Sequence, residues 1–161
     1  MALRIIKVVL ILLVGLYGLI AGIQNFIQVG ADFEAVATVL SPDLTKVSGV
    51  ASWQTIENPL VIWIAWAIIP LSKFGGAALC LSGAYSMWLS RSLDADSFQS
   101  SKSLALAGCG IILAMLFGVF IVFSESYFSL WQTEFGGLVL PMAFRYMGCI
   151  GVITIFVQQP E

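Results

Sequence analysis

The chain has 161 residues, 60% of them hydrophobic and 10% charged, with seven Lys and Arg against nine Asp and Glu and no histidine. Soluble domains carry about 25% charged residues, and a soluble fold of this size could not keep so much apolar surface from water; lipid must cover it. Histidine-ligated haem, histidine-liganded zinc and a histidine general base are excluded within the chain, and no basic tract points to nucleic acid.

The first apolar run covers residues 5–27, beginning just after Arg4 with Lys7 in its first turn. It is longer than a signal-peptide core, which predicts an uncleaved anchor. Gly15, Gly18 and Gly22 lie within it, the last two as a GxxxG pair. The loop 28–59 carries Asp32, Glu34, Asp43 and Glu57 against Lys46. A short helix is predicted over 32–40, ending at Ser41-Pro42-Asp43. Trp53 and Ile56 suit an interface, and Glu57-Asn58-Pro59 reads as a helix entrance with proline near the first helical position.

The second run, 60–89, is longer than a bilayer needs, which implies tilt, a kink at Pro70 or an overrunning end. Ser72, Gly76, Cys80 and Ala84 recur at every fourth position and predict a close helix contact. Trp63 and Trp66 near one end and Trp88 near the other match interfacial belts. A short loop follows, with Arg91 and Lys102 balanced by Asp94 and Asp96. The third run is 104–123, with Gly110, Ala114 and Gly118 as another small-residue stripe. Beyond it Phe128, Trp131 and Phe135, flanked by Glu125 and Glu134, recur at helical spacing and predict a short surface helix. The fourth run is 138–157, with Arg145 about two turns inside.

Each run is long enough to span a bilayer, and in lipid only a helix satisfies its own backbone. The predicted fold is a single all-α integral membrane domain over 1–161: a four-transmembrane-helix bundle with short interfacial helices in the outer loops. Lys and Arg favour the N-terminus and the middle loop, which predicts both termini on the cytoplasmic side. Cys80, Cys109 and Cys149 all fall inside apolar runs, where a small buried residue is the usual role, and their spacing matches no metal motif.

Lys73 is the charge in the middle of a run. It lies 13 residues beyond Leu60, about 20 Å along a helix axis. Reaching water from there is difficult, and an unpaired cation at that depth costs about 2.5–3.5 kcal/mol. No Asp or Glu within the four runs neutralises it. Either the amine is neutral, or it bonds carbonyls around Pro70, or it meets an acidic group from elsewhere, such as a partner's carboxylate, a lipid phosphate or a polar cofactor edge. Arg145 is placed to pair with Glu125 or Glu134, as a clamp between loop and helix or as part of a ligand site.

Asn25-Phe26, Val39-Leu40-Ser41-Pro42-Asp43 and Trp53-Gln54-Thr55-Ile56 form a recognisable pattern with Ser124-Glu125-Ser126-Tyr127-Phe128, Trp131-Gln132 and Ala143-Phe144-Arg145. Across nearly its whole length the chain resembles the predicted small integral membrane proteins of bacteria grouped as domain of unknown function 2165. The resemblance implies a histidine where this chain has Thr38, an arginine where it has Gln54, and an acidic residue near Lys73. It implies the four-span fold and the bacterial inner membrane, and supplies no reaction.

No nucleophile–base pattern, phosphate loop or charged dyad suggests an enzyme. The expected role is a small accessory subunit that stabilises a larger membrane complex. It needs no intrinsic cofactor; lipids, or a pigment or quinone, would fill the subunit seams. The contact candidates are Lys73, Arg145, Glu125, Ser72, Gly76, Cys80, Ala84 and Trp131. The competing expectation is a homo-oligomeric transporter or channel with Lys73 lining the path.

Overall fold

A computed structural model of the chain describes residues 1–41 and 50–160. The apolar runs form helices, as backbone satisfaction in lipid demands. α1 is Ala2–Ile27, α2 is Val29–Leu40 and α3 is Pro59–Ser90. α4 (Ala95–Ser101) and α5 (Ser103–Met115) lead into a π-helical segment over Leu116–Tyr127, and α6 is Glu134–Gln158. Four stretches are long and apolar enough to cross a membrane: α1, α3, Ala95–Tyr127 and α6. The chain is a multi-pass, all-helical membrane protein.

Local chemistry sets the helix boundaries. Asn58 Oδ1 accepts from the Leu60 N–H at 2.9 Å with Pro59 in the first turn of α3, as the sequence predicts. Asp94 caps α4 and Thr133 caps α6, each accepting from the backbone N–H three residues on. α2 begins earlier than predicted because Gln28 both ends α1 and opens α2. It ends at Leu40 as expected; Pro42, Asp43 and Lys46 lie outside the described residues. α3 continues unbroken through Pro70.

The surface helix expected through Phe128, Trp131 and Phe135 does not form. Ser129 adopts a left-handed conformation (φ 52°), which interrupts a helix, and only a 3₁₀ turn over Leu130–Gln132 follows before Thr133 caps α6. Phe128 is buried while Trp131 is 61% exposed, so the aromatics do not share a face.

Small residues decide which helices touch. α1 and α3 run antiparallel, and a Cβ at Gly18 would lie 3.0 Å from the Lys73 carbonyl oxygen. Gly76, Cys80 and Ala84 are buried, and Gly76 and Cys80 meet Gly108 of α5. The Cys80 and Cys109 thiols lie 3.8 Å apart in that seam. Cys149, expected to be buried like them, is exposed. The predicted Gly110–Ala114–Gly118 stripe does not form the α3–α5 seam. A Cβ at Gly110 meets nothing, because α5 turns Ala105, Gly108, Cys109 and Ile112 inward instead.

At the end of the bundle that carries the termini, Lys7 and Lys102 are buried, and both donate to the Gln159 carbonyl oxygen, at 2.7 and 2.9 Å. Lys102 also bonds Gln99 Oε1 at 2.7 Å. The Arg4 guanidinium donates to the Arg91 and Leu93 carbonyls and lies over the Phe98 ring. At the far end, the rings of Phe33, Trp63, Trp66, Phe26 and Phe74 meet in succession and bind α1, α2 and α3 together.

Candidate functional site

The aromatic ladder fixes α2 across the first turns of α3, and the π segment widens the opposite wall. In a π-helix the backbone bonds reach one residue further than in an α-helix, and such segments concentrate at functional sites. Here the Phe128 N–H donates to the Phe123 carbonyl, and the Ser124 and Ser126 hydroxyls donate to the Val119 and Ile121 carbonyls. Between these walls lies a half-open cavity of about 980 Å³. α2 contributes Asp32, Val36 and Val39; α3 contributes Ile64, Trp66, Ile68, Ser72 and Lys73. Ala114, Gly118, Phe120 and Phe123 line the far wall, and Phe135 and Val139 of α6 close one side. Two members of the third-run stripe, Ala114 and Gly118, thus shape a cavity wall: their small size leaves the space open.

The lining is overwhelmingly apolar, with one polar edge. Lys73 Nζ donates to Asn25 Oδ1 at 2.7 Å, and Asn25 Nδ2 donates to Asp32 Oδ2 at 2.5 Å. The acid expected from elsewhere therefore belongs to this chain and acts through an amide. The climb to Asn25 is also easier than the position of Lys73 in α3 suggests. Its backbone is level with Gly18, and the side chain rises toward Asn25, near the end of α1. The first turns of α3 run on past that end, beside α2, where Phe33 stacks on Trp63 at 4.3 Å.

Sequence reasoning found Lys73 and missed its two partners as a unit. The available signal was Asn25, a carboxamide in the last turn of an apolar run, with Asp32 seven residues on. The Trp66 indole N–H, in the same wall of α3, is buried without a hydrogen-bond partner among the described residues.

The other predicted residues fall into separate places. Ser72 lines the cavity beside Lys73, whereas Gly76 and Cys80 serve the α3–α5 seam and Ala84 is buried in the core. Glu125 and Trp131 share a smaller cleft of about 310 Å³ with Pro141 and Phe144. Arg145 is exposed, and among the described residues no ion pair joins it to Glu125 or Glu134; the expected clamp is absent because Arg145 projects from the outward face of α6. No group of three or more His, Cys, Asp or Glu among the described residues could hold a metal ion.

Residues 3–160 match the family described as predicted small integral membrane protein (DUF2165). The chain belongs to that family. No curated protein and no solved structure matches it. Two positions where the resemblance implies other residues have local roles. Thr38 Oγ1 bonds the Glu34 carbonyl at 2.8 Å, and Gln54 Nε2 donates to the Tyr127 carbonyl at 2.9 Å, joining the α2–α3 loop to the end of the π segment.

Proposed function

We propose that this DUF2165 protein is a small accessory subunit that docks, through the outward face of α6, onto a larger complex of the bacterial inner membrane. Arg145 carries the reading. It stands 11 residues beyond Glu134, about 16 Å along the axis, on the face that also holds Met142, Gly148, Cys149 and Val152, all exposed. An arginine facing lipid at that depth costs about 2.5–3.5 kcal/mol, whereas a carboxylate on a neighbouring helix removes the penalty. Gly148 offers that helix a close approach, since a Cβ there would meet nothing. The topology that goes with this reading has both termini in the cytoplasm.

A homo-oligomeric transporter is the second reading, and the position of Lys73 in a cavity wall favours it. Against a path through one chain, the space below Lys73 is filled by Ala77, Cys80 and Ile112, all buried. The test is the mass and composition of the particle released by a mild detergent, for wild type and Arg145→Gln. A stoichiometric larger subunit that is lost in Arg145→Gln supports docking. A pure homo-oligomer favours transport, with Lys73→Met then abolishing flux while assembly survives. A monomer that holds only anionic lipid overturns docking.

A further inference from the structure

Independently of docking, the cavity has the attributes of a binding site. Its volume of about 980 Å³ lies at the upper end of the range for small-molecule sites, which are mostly apolar with a few placed polar groups. The apolar walls ask for an apolar body, and the polar edge specifies the head. An ammonium has three N–H donors, and among the described residues Lys73 uses one of them, on Asn25. The edge therefore still offers donors. Its charge is already balanced, because the Asp32 carboxylate closes the same hydrogen-bonded chain. An anionic head would bring a net negative charge into apolar surroundings, and because Asp32 already balances Lys73, the free ammonium donors offset only part of its desolvation cost. A neutral head with an acceptor oxygen carries none.

We propose that the cavity binds a neutral amphiphile whose carbonyl-type oxygen accepts a hydrogen bond from Lys73. A quinone ring and a glyceride ester share this chemistry. The apolar body lies between α3 and the π segment, along Ile68, Ala114 and Gly118.

The experiment uses the full chain, delipidated in detergent, with binding followed by native mass spectrometry. Four probes are titrated: decylubiquinone, dioctanoylglycerol, dodecanoate and dodecane. Decylubiquinone or dioctanoylglycerol binds more tightly than both dodecanoate and dodecane, and whichever is preferred identifies the source of the carbonyl. Lys73→Met weakens that probe by about tenfold or more, the usual worth of a hydrogen bond to a charged group. Gly118→Leu supplies an arm that leaves the polar edge intact. A Cβ at Gly118 meets nothing within 4 Å, so the new side chain enters the cavity and blocks the probe while the fold persists. Preference for dodecanoate, equal binding of dodecane, or binding indifferent to Gly118→Leu overturns the proposal.

Discussion

Replacing Gly108 with alanine tests how α3 and α5 are apposed. A Cβ at Gly108 would lie 2.6 Å from the Gly76 carbonyl oxygen and 2.7 Å from the Cys80 backbone nitrogen. Both are backbone atoms, so no rotamer change relieves the clash. The helices must separate by most of an ångström to restore an ordinary contact. Overpacking of this kind costs about 1–3 kcal/mol. For a chain of this length that lowers the melting midpoint by about 2–12 °C. Gly110→Ala is the matched control two residues away: its Cβ meets nothing, so it causes no loss and, from alanine's better helix propensity, gains up to about 1 kcal/mol. A thiol-reactive fluorophore reads both variants in a Cys149→Ser background, because Cys80 and Cys109 are buried and react only on unfolding. Equal losses in the two variants, or an unchanged midpoint in Gly108→Ala, would refute the assigned face of α5.

Asn25→Leu removes the amide between Lys73 and Asp32, and should cost about 1.5–3 kcal/mol for each charge-assisted bond lost; detergent-denaturation curves measure it, and Asn25→Gln should recover part of the loss. Lys102→Met removes the bonds to Gln99 and Gln159 and should destabilise on the same scale, about 1.5–3 kcal/mol for each bond, with a larger loss when Lys7→Met is added. Asp94 gives a pH dependence. The Ser97 hydroxyl and then its backbone N–H stabilise the charged carboxylate and hold its pKa below the usual value. The cap therefore contributes fully above the ordinary aspartate range, near about 4, and is lost as pH falls through the lower folded value. The stability gap between wild type and Asp94→Asn should be present at neutral pH and vanish in acid.

The four spans were legible because run length and hydropathy are local properties. So were Asn58 with Pro59 at the start of α3 and the end of α2, since caps and proline act on adjacent residues. The choice between the two faces of α5 was not legible. Glycines at 108 and 110 have the same local preferences, and only the partner helix distinguishes them. The break at Ser129 was hidden because serine carries no mark for a left-handed backbone. Lys73 announced itself by its cost, but its answer lay on α1 and α2, seven residues apart across a helix junction. Nothing in the spacing shows that those two side chains turn toward the same lysine.

The bond from Lys7 to Gln159 spans 152 residues. At the usual 5–20 residues per second, synthesis separates these groups by about 8–30 s. Lys7 thus enters the bilayer boundary long before this carbonyl exists. Its place within two turns of the start of α1 keeps it within reach of water and lipid head groups until then. Arg4 and Lys102 likewise receive their carbonyl partners from later segments. Assembly therefore has a direction: the aromatic contacts among α1, α2 and α3 can form first, and the end that holds Lys7 and Lys102 closes only once Gln159 has been made.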